Sequence, residues 1–551
     1  SSIMLLSLFM LPLCFCLSVL SASSSPDYSK YFKYEFIVDE DGSAITRIIY
    51  RSNLADGSSW VLIPRFSKWS NYTVHGQVYN WTLEEPEGYT GLQYYFYKVL
   101  KFHYFASSGN QFEMIVEYNF TSAAMIIEPD GIFYSPQIGF EGGSGFEATV
   151  IFPSIFKVNL NEALALGNRN SYPPDRGASN SSFVLFRNLP LTENLLRIEV
   201  GFKVSGRNAD FINLESGTFK FITVKRYESY AWKILNLYNS TYDVLANLFN
   251  TTLEELDSKG EKTVTVRFFI PDFYSLMSVG GYVPFTGEGM GDIHINFIFT
   301  RYVEGYLEVI ALHELVHHFL WKAGVSPKKL LWFHEGMAQY VSIEVAERIG
   351  YEGASMIKQE IEEGVQQLRA VISDNFGFLM EWTPSYTPRD LNTLYAAAYY
   401  VVARLAEEYG GLDYYAKFFS LLGGMKVEDN AALCYYLGLA AGDAGESVIN
   451  KLNAWGFGTV DLYAYLPLIS EVKAAINDVD STNPLLQPFK YFAELIYKSV
   501  MSGERIIAER AALFLLVALL IARFAPLIAL LTYSSLIFAS ILLILRLKGV
   551  L

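Results

Sequence analysis

Two histidines four positions apart with a glutamate between them, His313, Glu314 and His317 in the run HELVH, are the residues of this 551-residue chain best suited to chemistry. On a helix, positions i and i+4 stand one above the other on one face, so both imidazoles can reach a single tetrahedral Zn²⁺. Glu314, one step round, points toward the coordination position left open. There it can take a proton from a water that the metal has brought to a pKa of about 7. Two ordinary helix histidines are the bland alternative, and a third donor at suitable spacing weighs against it. Glu335 follows His317 by eighteen positions, enough for one antiparallel helix to return and offer a carboxylate.

The elements that must position these groups are helices. Gly305 to Ala323, GYLEVIALHELVHHFLWKA, carries apolar residues at three- and four-residue spacing, with Gly324 as a stop and Pro327 just beyond. A second helical pattern begins near Lys329 and stops at Gly350. Together they predict a hairpin with His313, His317 and Glu335 as metal ligands and a fourth position free for water or substrate.

HELVHHF followed by WFHEGMAQY resembles the gluzincin metallopeptidases, the group related to thermolysin and the aminopeptidase N family, whose third ligand is the Glu of an xEG motif. The stretch Leu394 to Gly411, LYAAAYYVVARLAEEYGG, is similar to the helix that opens with that family's catalytic tyrosine. By that likeness Tyr395 would stabilise the oxyanion of a tetrahedral intermediate; in a chain with 38 tyrosines, plain packing is the other reading. Val266 to Phe273, VRFFIPDF, resembles the strand leading to the active-site edge, and Asp292 to Phe297, DIHINF, alternates as an edge strand able to hold an extended peptide. The likeness covers roughly Phe221 to position 470 and implies a zinc-dependent peptidase.

The chain departs from the family at two places. Aminopeptidases of that family grip the substrate's free amine with the Glu of a GxMEN motif, which is absent here. The position falls on Ser278 or Gly291, with Glu288 nearby but out of register, so endopeptidase and aminopeptidase both stay open. Ser342, seven positions after Glu335, stands where the family places a glutamate supporting the zinc ligands, which implies either weaker metal binding or a different supporting residue, Glu344 or His334. His318 and His334 read as structural or supporting groups before ligands, and His294 as a half-buried strand residue before a substrate contact.

Composition sets the frame. A chain of this length holds two or three domains, and 51% hydrophobic with 16% aromatic residues supplies their cores. A net charge of −15 argues against nucleic acid, whose phosphates require a surplus of Lys and Arg. Of three cysteines, Cys14 and Cys16 lie in the first hydrophobic stretch and only Cys434 in the body, so no disulfide framework holds it.

Both ends point to a membrane. Ile3 to Leu20 is an apolar run followed by SASSSP, read as a signal peptide cleaved near Ala22 or an uncleaved anchor. Phe524 to Leu545 has no charge and, as a helix, reaches about 33 Å, enough to cross a bilayer. Arg546 and Lys548 follow it and would sit in the cytoplasm, with the rest of the chain outside. Ala511 to Ala522 is apolar but too short to span, so a juxtamembrane helix before one crossing is preferred to a helical hairpin. Six Asn-x-Ser/Thr sequons, at Asn71, Asn80, Asn119, Asn180, Asn239 and Asn250, suggest N-linked glycans on an exterior face.

From Tyr28 to about Gly206 short alternating strands are separated by Gly, Asn, Asp and Pro turns, and from Tyr227 long helical patterns take over. The expected architecture is multidomain α+β. Residues 1–24 form a signal peptide or anchor, 25–206 a β-sandwich-like domain, and 207–470 a mostly helical, thermolysin-like gluzincin catalytic domain. Residues 471–510 form a helical membrane-proximal segment, and 511–551 a juxtamembrane and transmembrane segment. The function expected is that of a membrane-anchored extracellular zinc metallopeptidase acting on peptides or proteins. The competing reading is a surface scaffold or adhesion protein that kept the fold and lost turnover; a zinc hydrolase of non-peptide substrates is a third.

Overall fold

The structure, a computed structural model, describes residues 28–548 apart from 66–67, 87–95, 108–110, 168, 192–193, 258–259, 271–278, 287–288, 302–303, 459–460, 504–505 and 507. The expected leader at 1–24, with Cys14 and Cys16, lies outside the described residues, as do Phe273, Ser278 and Glu288. The chain divides into two compact units, one ending at Ala209 and the other beginning at Asp210.

The first unit is β-rich. Its opening strand, Lys30–Val38, buries Phe32, Tyr34, Phe36 and Val38, every second side chain, as a pleated strand with one face on a core must. It pairs antiparallel with Ala44–Ser52, from Lys30 opposite Ser52 to Val38 opposite Ala44. The hairpin depends on Gly42, whose φ is +91° and where a Cβ would stand 2.5 Å from the Ala124 carbonyl oxygen. A six-stranded sheet runs in the order Phe183–Arg187, Gly145–Ile151, Lys30–Val38, Ala44–Ser52, Phe112–Phe120, Trp69–His75. Only the Lys30–Val38 and Gly145–Ile151 pair in it is parallel. A second sheet is built on Phe156–Leu166 and Leu195–Val204, and a three-stranded one on Asp56–Pro64, Tyr97–Phe105 and Gln77–Glu84. All three contribute to one core that includes Phe32, Tyr50, Phe102, Phe146 and Phe202. Each such aromatic contributes roughly 1.5–3 kcal/mol by burial.

The second unit opens with a five-stranded sheet in the order Phe211–Ser216, Phe219–Val224, Val264–Phe269, Ile293–Asn296, Gly281–Tyr282. Here the structure differs from the expectation for DIHINF. Ile293–Asn296 is not the edge, because Gly281–Tyr282 folds back over it, pairing Gly281 with Ile295 and Tyr282 with His294. Asn296 pins this return: its backbone N–H donates to the Gly280 carbonyl and its side-chain amide to that of Val279, both at 2.8 Å. The His294 ring stacks on Tyr282 at 4.5 Å.

Helices follow: α1 (Glu228–Phe249), α2 (Tyr306–Lys322), α3 (Pro327–Ile349), α4 (Glu352–Ile372), α5 (Leu391–Tyr409), α6 (Leu412–Leu422), α7 (Asn430–Ala440), α8 (Gly445–Ala454), α9 (Leu466–Asp478), α10 (Gln487–Ser502), α11 (Ala511–Arg523) and α12 (Ala525–Leu547). Between α2 and α3 the chain turns at Gly324, with φ +97° and no room for a Cβ beside the Met425 carbonyl. Ser326 caps α3, its Oγ accepting from the Lys328 N–H, and Pro327 occupies the first turn, where a missing N–H costs nothing. The helix therefore begins two residues before Lys329. α9 runs across position 470, where a boundary was expected, so that point lies inside an element. α11 packs on α9 and α10, and α12 is long and apolar enough to cross a membrane. Cys434 is buried on α7. All six sequon asparagines are exposed.

Candidate metal centre

The α2–α3 hairpin brings three donors together. His313 Nε2 lies 3.1 Å and His317 Nε2 3.6 Å from Glu335 Oε2, and the ligand atoms of the three residues all fall within 4.8 Å of one another. Two neutral nitrogens and one carboxylate oxygen are the donor set that suits Zn²⁺, and three protein donors leave a tetrahedral position open. Burial pushes the Glu335 carboxyl up, but the two histidine rings more than reverse this and hold it well below the usual carboxylate range. His317 shows the mirror image: burial lowers it, and Glu335 more than compensates, leaving it above its ordinary value.

Glu314 is buried beside the cluster, and burial raises its pKa while the His313 and His317 rings oppose the rise. Above it passes the edge strand: a Cβ on Gly281 would lie 2.8 Å from Glu314 Oε1, so only glycine lets the backbone come this close. On the far side of α2, the Tyr238 hydroxyl of α1 donates to the Ala311 carbonyl at 2.8 Å, fixing the helix against the unit's core.

Tyr395 arrives from α5. At Gly336 a Cβ would meet the Ala398 carbonyl at 2.5 Å, so the glycine of the xEG run is what lets α3 and α5 cross closely. The crossing sets the half-buried Tyr395 phenol against Glu335, whose charge, with burial, pushes the phenol well above its ordinary value. Trp382 braces the ring edge-on at 5.4 Å.

Of the two candidates for a supporting role, Glu344 and His334, it is His334 that lies against a ligand. It is fully buried, with Nε2 2.9 Å from the Val325 carbonyl oxygen and Nδ1 3.4 Å from His317 Nδ1. Burial, reinforced by the His317 ring, pushes its pKa down to about 3, so the imidazole is neutral. A carbonyl only accepts, so Nε2 carries the hydrogen and Nδ1 the lone pair. His317 must then donate from Nδ1, which leaves its Nε2 lone pair aimed at the cluster, the tautomer a metal ligand needs. Glu344 does not take this part: it pairs with Lys358 at 3.3 Å. Ser342 bonds its own helix through the Gln339 carbonyl at 3.1 Å. His318 is buried on the same helix as His317, and burial, reinforced by the His317 ring, holds it down to about 4. Gly291 itself donates to the Pro284 carbonyl at 2.7 Å and offers no side chain to a substrate amine.

No family model and no curated protein matches the chain. Among solved structures, the chain is similar to leukotriene A4 hydrolase from Saccharomyces cerevisiae, with TM-score 0.33, 12% identity and coverage of 94% of this chain and 89% of that one. It is similar to an M1 zinc metallopeptidase from Deinococcus radiodurans, with TM-score 0.27, 14% identity and coverage of 78% and 93%. Aminopeptidase A from Legionella pneumophila, in complex with aspartic acid, gives TM-score 0.26, 13% identity and coverage of 77% and 50%. Likenesses this loose carry no argument about activity, which rests on the geometry of the centre itself.

Proposed function

We propose that this chain is a membrane-anchored, outward-facing zinc metallopeptidase. The observation that carries the reading is the convergence of the His313, His317 and Glu335 ligand atoms within 4.8 Å, with Glu314 and Tyr395 on the same cluster. A bound Zn²⁺ would supply Lewis acidity and bring water to a pKa of about 7. His313, His317 and Glu335 would hold the ion, with His334 orienting His317. Glu314 takes the proton of the attacking water and passes it to the leaving amine; its burial raises its proton affinity, which suits a base. Tyr395 keeps its O–H and donates to the oxyanion that develops on the scissile carbonyl. The Gly281–Tyr282 edge offers backbone groups to an extended peptide laid beside Glu314. With Ser278 or Gly291 standing where the family's amine-gripping glutamate would be, and neither bearing a carboxylate, peptides with a blocked N-terminus are substrates alongside free ones.

α12 anchors the chain, and Arg546 and Lys548 place its C-terminus in the cytoplasm. The sequon asparagines carry glycans on the outward side. Ser342, turned to its own helix instead of to a ligand, favours the scaffold reading as the second choice. One experiment separates them. Glu314→Gln should keep the metal and lower peptide hydrolysis by about two to four orders of magnitude; Tyr395→Phe should keep it and lose about two to three. A wild-type protein that holds zinc and cleaves no peptide, blocked or free, is the scaffold; strict dependence on a free amine restores an aminopeptidase.

A further inference from the structure

The packing of α12 sets how deep the rest of the unit must sit, if α12 is the membrane span proposed above. The apolar stretch is bounded by Arg523 and Arg546, and the helix of 23 residues reaches about 34 Å against a hydrocarbon core of about 30 Å. It has almost no length to spare. Yet its first turns are not free: Ala525 and Ala529 are buried, the Tyr533 hydroxyl donates to the Leu485 carbonyl at 3.2 Å, and the Phe489 ring meets that of Tyr533 at 6.3 Å. If only the part beyond Tyr533 crossed, fourteen residues would remain, about 21 Å, too short to span. The contact with Leu485 and Phe489 therefore lies within the bilayer.

The surface around that contact fits this placement. Leu485 is 54%, Tyr491 64% and Phe492 59% exposed, an apolar and aromatic group at the start of α10 beside the span. Aromatic side chains of this kind are favoured at the membrane interface. The polar turn before them closes on itself: Asp480 accepts from the Thr482 N–H and hydroxyl, and Asn483 from the Leu485 N–H. Arg523 is held by Glu471 of α9 at the water-side end of the span.

We propose that the turn 484–486 and the first turns of α10 are seated in the near leaflet of the bilayer, so that the second unit is partly embedded and not hung from a free stalk. The occupant of the exposed Leu485, Tyr491 and Phe492 face is lipid. The consequence is that the unit is held at a constrained height and orientation over the membrane.

The test is carbene footprinting of the full chain in phosphatidylcholine vesicles. One arm uses a diazirine on the lipid acyl chain and the other a water-soluble diazirine, with labelled residues mapped by mass spectrometry. The expected result is lipid-derived label on Leu485, Tyr491 and Phe492 as well as on α12, with loss of aqueous label at the same three residues. Aqueous label on the three, with lipid label confined to α12 beyond Tyr533, overturns the embedding while leaving the anchor standing. Absence of lipid label from α12 overturns the anchor and the embedding with it. Leu485→Asp combined with Phe492→Asp should shift the α10 positions from lipid to aqueous label with the zinc content unchanged; an unaltered pattern counts against the proposal.

Discussion

The core of the β-rich unit and the α2–α3 hairpin are both tightly buried, but they bury different chemistry. The first is filled by Phe32, Phe36, Tyr50, Phe102 and their neighbours, and among its described residues Arg197 is the buried side chain that carries a charge at neutral pH. The hairpin buries Glu308, Glu314, His317, His318 and His334 within two helices. An ionisable group taken out of water costs several kcal/mol unless it is paired or neutralised. Evolution of stability alone has no use for five of them side by side. Some are paired, as Glu308 with Lys233 at 2.7 Å, and some are kept neutral, as His334. The difference teaches that the β unit answers to packing alone, whereas the hairpin buries polar groups among its packed apolar ones, and three of its side chains converge as a metal's donors would.

That contrast can be broken by substitution. The largest effect is expected at His317. His317→Ala should reduce zinc from about one ion per chain to none by elemental analysis, while the β-rich unit unfolds in urea as before. Stoichiometric metal in that variant would show that the hairpin is not where the zinc binds. Next, Phe36→Ala should destabilise the β-rich unit by about 3–5 kcal/mol, read from its denaturation midpoint, with zinc content intact. A fall in zinc occupancy there would mean that the two regions are not independent. The smallest and most diagnostic effect concerns the brace: His334→Phe should weaken zinc about 10- to 100-fold in a competition titration. His334→Asn, which can still accept from His317 Nδ1, should recover part of the loss. Equal affinity in all three forms would show that His317 needs no orientation from behind.

Much of the hairpin was legible because helix periodicity is local. The apolar spacing of 305–323, the Gly324 stop and the proline at the start of α3 act through neighbours three and four residues apart, so the chain alone specifies two helices carrying His313, His317 and Glu335. The change from alternating strands to long helices near Tyr227 is legible for the same reason, as is an apolar C-terminal helix. The edge of the five-stranded sheet in the second unit was not. DIHINF alternates correctly, yet a strand's place in its sheet depends on what pairs with its outer side, and the return of Gly281–Tyr282 is decided by the Asn296 hydrogen bonds to Val279 and Gly280.

The sequence by itself therefore determined which residues share one helix face and which segments are apolar enough for a core or a bilayer, since these follow from interactions along a few turns of chain. Only the tertiary structure decided which distant groups meet that face. Tyr395, sixty positions after Glu335, reaches it because Gly336 lets two helices cross without a side chain between them. His334 reaches His317 because the hairpin closes in this register, and Gly281 passes over Glu314 because the sheet folds back. Each of these depends on close approach between elements, where a single Cβ settles whether contact occurs, and no local periodicity records that.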